Sequence, residues 1–230
     1  MASLNQGLWR ENRYARGTKM TAAELTPVGG LIRYAAGGGG AGALIVNRAS
    51  YDVDGRGARI AFTIVDSRFG RILIGATRTG ICWIGICDSD AHLETELRSD
   101  LSAAEFSRED AGLAALARLV IDFVGGQTRE ITIPVDLRGT PFQISVWREL
   151  CAIPWGATRS YGEIARQLGR RDASRAVGAA NGSNPLAIII PCHRAIGADG
   201  SLTGYRWGLE YKRRLLDHEC ALAQSSLGFN

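Results

Sequence analysis

Three apolar runs between residues 58 and 86 constrain this chain more than any other feature. ARIAFTIV, GRILIGAT and GICWIGI are rich in β-branched side chains, and only the short stretches DSRF and RTG separate them. Such runs read as strands joined by tight turns. Two helical stretches follow, near 89–101 and 109–125. The second carries Leu113, Leu116, Val120 and Phe123 at helical spacing and stops at Gly125-Gly126. ITIPV at 131–135 suits a return to the sheet. Residues 57–138 therefore form a small α/β module in which no catalytic groups cluster. Residues 1–56 have no periodicity strong enough for an element and are expected to be a tail or linker. GGGGAG at 37–42 has the composition of a flexible connection.

From residue 139 the pattern changes to short helices. Thr140-Pro141 pairs an N-cap with Pro at the first helical position. Val146, Trp147 and Leu150 carry that helix toward Pro154. Ser160-Tyr161-Gly162-Glu163 is a capping box, opening a helix that runs to Gly169. DASRAVGAAN follows almost at once, and two short helices joined this tightly resemble a helix-turn-helix. The third helix is rich in Ala and Gly, so its backbone can approach a partner closely. Asn184-Pro185 stops it. LAIII then reads as a buried, strand-like run delivering Pro191-Cys192-His193-Arg194, and a last helix is expected near 208–219. The expected fold class is an α/β N-terminal module, a small β-sheet with helices, followed by a mostly α, winged helix-turn-helix-like C-terminal domain over 139–225.

Charge separates the two halves. Residues 57–138 hold 9 basic and 12 acidic side chains, and residues 139–230 hold 11 and 7. A cationic half is a weak pointer to an anionic partner such as nucleic acid, and a solvated basic surface explains it as well. No apolar run approaches the roughly 20 residues of a membrane helix, and MASLNQGLWRENRYAR has no secretory segment, so a cytoplasmic protein with no membrane partner is expected. Five cysteines, Cys82, Cys87, Cys151, Cys192 and Cys220, make an odd count that argues against a disulfide framework. Cys82, Cys87 and His92 match no compact zinc spacing, and small buried thiols are the better reading for the two cysteines. No metal and no cofactor are expected.

Cys192 is the one thiol whose neighbours suggest chemistry. A thiolate is a soft nucleophile that a nearby base or cation activates. Cys-His adjacency alone fits a buried structural Cys beside a surface His equally well. The surroundings decide. IIIPCHRAIGADGSLTGYRWG, with DLRGTPFQISVW, SYGEIA, SRAVGAANGSNP and the closing LLDHE, resembles the O6-alkylguanine-DNA alkyltransferases, above all the C-terminal part of Ada-type proteins. The resemblance covers about residues 58–222, and several separated motifs fall in family order.

That resemblance implies DNA repair: irreversible transfer of an alkyl group from O6 of guanine, and from O4 of thymine, onto Cys192, one protein molecule per lesion. It implies that His193 takes the thiol proton through a water and that Glu219 orients this His. Asn184 would pin the turn before the active-site loop, and Tyr161 would sit over the flipped base and give a proton toward the ring. Arg175 would fill the gap in the base stack, with Ser174 and Arg194 also on the DNA. Tyr205, Ala195 and Asn181 would line the pocket; Asn181 is polar where relatives usually carry an apolar or sulfur-bearing residue. The implied partner is double-stranded DNA containing O6-alkylguanine, bound by a monomer. GTKMTAAE and GGLIRYA, near 17–35, faintly resemble the junction before the alkyltransferase part of Ada-type regulators. No Cys precedes Cys82, so the four-cysteine zinc module of those regulators is not expected, and the chain reads as a trimmed relative or a fragment. Two other classes remain: an Ada-type DNA-binding transcriptional regulator, in which Cys192 would be idle, and a thiol hydrolase, which would need an oxyanion hole.

Overall fold

The computed structural model describes residues 30–34, 42–45, 50–52 and 54–227. The three apolar runs become an antiparallel meander of β3 (Arg59–Ser67), β4 (Gly70–Ala76) and β5 (Ile81–Cys87). It lies within a seven-stranded mixed sheet of order β2-β1-β7-β5-β4-β3-β6. α1 (Asp90–Asp100) packs on β4 and β5, and α2 (Asp110–Val124) on β3. α2 buries Leu113, Leu116, Val120 and Phe123, the positions its periodicity marked. β6 (Glu105–Arg108) and β7 (Ile131–Val135) complete the central part. β6 is a short, largely exposed strand running parallel to β3, with no hydrophobic pattern that sequence reading could have caught.

Residues 1–56 require a correction. They contain β1 (Gly30–Tyr34) and β2 (Gly42–Ile45), which extend the sheet through β7 in antiparallel register. GLIRY buries Ile32 and Tyr34 on one face and leaves Arg33 exposed, an alternation too short to stand out from its Gly-rich flanks. Tyr34 lies opposite Gly42, where any Cβ would collide with its ring. The linker reading of 37–42 otherwise falls outside the described residues.

Beyond residue 139 the structure is mainly helical: α3 (Pro141–Cys151), α4 (Tyr161–Gln167), α5 (Ser174–Gly182) and α6 (Leu209–Leu227). Thr140 and Ser160 both form full capping boxes, with Gln143 and Glu163 respectively. Two-residue strands β8 (Arg159–Ser160) and β9 (Ala195–Ile196) pair in parallel, tying the start of α4 to the segment after Cys192. Among the described residues no helix is long and apolar enough to cross a membrane.

The two halves meet along β5. Strand β7 pairs with it only at Ile81. The remaining edge is taken by residues 185–187: Ile84 N donates to Pro185 O at 2.7 Å, and Ala187 N to Ile84 O at 3.1 Å. A strand covered on both faces and both edges explains why every residue of β5 is buried and why its sequence is unbroken by polar side chains. LAIII is as buried as expected but is not a strand. It makes isolated bridges at Leu186, Ala187 and Ile190 around a turn at Ile188, whose φ is 72°.

Candidate active site

The site is built where α5, the 186–196 segment and α6 converge. Pro191, at φ −80° and ψ 63°, bends the chain into a single 3-10 turn, Cys192–Arg194. Cys192 is 5% exposed at the wall of a cavity of about 490 Å³ that Tyr161, Asn181, Asn184, Tyr205 and Trp207 also line. Its Sγ accepts a hydrogen bond from Asn184 Nδ2 at 3.1 Å. The same amide donates to Ile190 O at 2.9 Å and Leu186 O at 3.3 Å, while Asn184 Oδ1 accepts from Leu186 N. Asn184 therefore fixes both the thiol and the backbone that carries it.

The two residues after Cys192 enter a buried ion cluster. His193 Nε2 meets Glu219 Oε1 at 2.9 Å, and Arg194 grips the same carboxylate through Nε and Nη2, each at 2.8 Å. Arg194 also donates to Ile153 O and lies over the Trp155 ring. Glu219 cannot protonate easily. Burial pushes its pKa up, but His193 and Arg194, both hydrogen-bonded to it, outweigh this and hold it at about 2. His193 is pushed down by burial and by the Arg194 and Lys212 cations, against the pull of Glu219, so the imidazole rests neutral. With Nε2 donating to Glu219, Nδ1 carries the basic lone pair. That atom is buried and has no hydrogen-bond partner among the described residues.

Burial also raises the Cys192 thiol, opposed by the Asn184 amide and the Lys212 ammonium. A thiol held neutral at rest needs a base to become a nucleophile, and the His193 lone pair is the one beside it in the chain. Lys212 was not singled out from sequence, where it stands in the run Lys212-Arg213-Arg214. In the structure it is fully buried, donates to Ala195 O at 2.6 Å and Thr203 O at 2.8 Å, and burial lowers its pKa to about 8. It thus pins the cavity rim and places a positive charge near Sγ.

Two expectations need correction. Arg194 does not face a DNA surface: the 3-10 turn points it inward, and a buried guanidinium is tolerable because Glu219 satisfies it with both oxygens. Ala195 is buried with its carbonyl on Lys212 and does not line the cavity. Tyr161 OH donates to Thr203 O at 3.3 Å across the cavity mouth, and Tyr205 OH is buried without a partner among the described residues. Asn181 lines the cavity at 4% exposure, its Oδ1 also unpartnered. Ser174 and Arg175 open α5 and are exposed, as are Arg166, Arg170 and Arg171 nearby.

A family model described as "6-O-methylguanine DNA methyltransferase, DNA binding domain" matches residues 141–221. The chain is 40% identical over 158 residues to a methylated-DNA–protein-cysteine methyltransferase of Methanosarcina acetivorans, covering 69% of this chain and 97% of that one. It is 41% identical over 165 residues to the bifunctional transcriptional activator/DNA repair enzyme Ada of Escherichia coli, covering 72% of this chain but 47% of Ada, so it spans about half the length of that relative. The crystal structure of Mycobacterium tuberculosis OGT in complex with DNA is similar with a TM-score of 0.58 and 38% identity, covering 73% of this chain and 97% of that one.

The buried cluster sets a pH dependence. A carboxylate whose pKa falls from 4.5 to about 2 on folding contributes stability that is complete above pH 4.5 and lost as pH falls toward 2. His193, also lowered on folding from 6.5, acts in the same sense, starting below pH 6.5. Urea unfolding across pH 7 to 3 should therefore show a steady acid loss. Glu219→Gln should cost about 3–5 kcal/mol at pH 7, because Arg194 is left buried without a counter-charge, and should flatten the acid limb. An unchanged midpoint would mean that the cluster contributes little.

Proposed function

Since the chain belongs to the methylated-DNA–protein-cysteine methyltransferase family, we propose that it repairs DNA by moving an alkyl group from O6 of guanine irreversibly onto Cys192. One observation carries the reading: a thiol in the wall of a base-sized cavity, followed in the chain by a buried imidazole hydrogen-bonded to an ionised carboxylate. O6 of guanine lies inside the duplex, so a protein pocket can surround it only after the base is extruded, at a cost of a few kcal/mol.

The chemistry follows from the groups present. His193 Nδ1 takes the thiol proton, through a water, while Glu219 holds the ring by Nε2. The Lys212 charge and the Asn184 amide stabilise the thiolate. Sγ attacks the alkyl carbon in line, the S–C bond forms and the C–O6 bond breaks. Tyr161 gives a proton toward the ring as guanine leaves and is restored in turn, so that the hydrogen of the thiol ends, net, on guanine. The thioether has no easy reversal, and each molecule acts once. Tyr205 and Asn181 bound the base and its substituent.

In this reading α4 and α5 act as a winged helix-turn-helix. Ser174 and the exposed arginines meet phosphates, and Arg175 enters the stack in place of the extruded base. Residues 139–225 carry DNA binding and chemistry, and the sheet module supports them. The protein is a DNA-associated monomer. Binding to duplexes of any sequence should be salt-sensitive, because phosphate contacts release counterions.

Single-turnover rates on a duplex containing O6-methylguanine and on the free base test the roles. With duplex in excess, each chain should take one methyl and then stop; no adduct at all would favour a DNA-binding regulator, and continued turnover a hydrolase. Arg175→Ala should slow the duplex reaction at least about tenfold, more than 1 kcal/mol, and leave the free base nearly untouched. Tyr161→Phe should slow both. Equal slowing of both substrates by Arg175→Ala would remove its role in extrusion.

A further inference from the structure

The segment that delivers Cys192 contains two successive three-residue turns of opposite character. At the second, Cys192 N donates to Ile190 O at 2.7 Å around Pro191, whose φ of −80° and ψ of 63° are those of the relaxed, inverse γ-turn. At the first, Ile189 N donates to Ala187 O at 2.8 Å around Ile188 at φ 72°. That is the hand of γ-turn that is rare and strained, and Ile188 is the single non-glycine residue with positive φ among the described residues. A β-branched side chain makes such a conformation costlier still.

A strained turn persists only where its surroundings over-determine it. Asn184 Nδ2 holds it from the α5 side, through Leu186 O and Ile190 O. From the opposite side comes a group 155 residues away. Tyr34, on β1, donates its hydroxyl to Ile189 O at 2.8 Å, the carbonyl immediately after the strained residue. Tyr34 is 2% exposed and is itself immobilised, by pairing with Ile131 on β7, by the Phe123 ring at 4.8 Å between centroids, and by the room that Gly42 leaves.

Taking Cys192 as the reacting thiol, we infer that Tyr34 is a positioning residue: its hydroxyl locks the strained turn at Ile188 and thereby holds Sγ where it can attack. Without this bond the Ile189 carbonyl is a buried acceptor with no partner among the described residues, and the turn can relax toward an ordinary φ. Relaxation rotates Ile189 to Pro191, which carry the Cys192 backbone bond, and draws Sγ out of reach of Asn184. The segment of the chain with the least legible sequence thus controls the nucleophile without touching substrate.

The test is a rate cycle. Tyr34→Phe should slow methyl transfer from O6-methylguanine duplex about tenfold, with the Kd for undamaged duplex unchanged. Ile188→Gly removes the strain, because glycine adopts positive φ freely. In that background the further change Tyr34→Phe should cost about twofold or less, and the cavity left by Ile188 cancels because both members share it. An equal tenfold loss in both backgrounds, or a loss carried by the Kd, overturns the inference. If Ile188→Gly does not fold, amide exchange on Tyr34→Phe decides. Faster exchange at Ile190 and Cys192, with β7 unchanged, supports the lock; faster exchange along β1 and β7, with the turn still protected, overturns it. A wild type that takes up no methyl would instead count against the alkyl-transfer reading, and the exchange measurement tests the lock independently of it.

Discussion

The carboxylate of Glu219 is the constraint on which the rest of the site depends. Moving it out of water costs several kcal/mol, and the fold offsets this with a permanent guanidinium and an imidazole on the same two oxygens. Three consequences follow from one group. α6 is bound to the turn that carries Cys192. Arg194 is withdrawn from the surface. The imidazole is fixed with Nε2 as donor, which leaves the Nδ1 lone pair free. A carboxylate here serves geometry and protonation state together, because the same bonds that satisfy its charge dictate which nitrogen of His193 is free.

The second constraint is mechanical. In the proposed reaction the sheet module supplies no reacting group, yet it forms much of the frame around the thiol. β5 pairs with residues 185–187, and Trp83 of the same strand meets Trp207, a residue of the cavity wall, edge-on at 5.5 Å. Gly85 makes room for this, since any side chain there would strike both indoles. Arg206 reaches Glu96 and Asp100 of α1 at 2.7 and 2.9 Å, tying the 203–207 segment to the module. A nucleophile that must sit in line with a breaking bond gains more from such rigid backing than from additional functional groups.

Local patterns made much of this legible. The β-branched runs, the helical spacing in α2 and the capping boxes at Thr140 and Ser160 each state their structure within a few residues, and each appears in the fold. Cys192, His193, Glu219, Asn184 and Tyr161 were marked by the family motifs and converge in space. What could not be read depends on partners far away in sequence. β1 is a strand because β7 and β2 accept it, and its own five residues are unremarkable in composition. The family resemblance puts Arg194 on the DNA; only the three-dimensional position of Glu219 turns it in. Lys212 is indistinguishable from its neighbours until the 203–207 segment folds over it. The reversal at Ile188 breaks every local rule for isoleucine, and nothing in LAIII announces it.

The central claim is that one thiol of five is the acceptor and that its buried surroundings select it. Peptide mapping by tandem mass spectrometry, after reaction with a duplex carrying isotopically labelled O6-methylguanine, tests this most directly. Cys82, Cys87 and Cys151 are buried and their thiols raised by desolvation, and Cys220 is exposed on α6, where its Sγ accepts from the Gln224 amide at 3.5 Å. All of the label should therefore reside on Cys192, and Cys192→Ala should remain unlabelled while still binding duplex. Label on Cys220 or Cys151 at a comparable rate, or uptake that survives Cys192→Ala, would contradict the account.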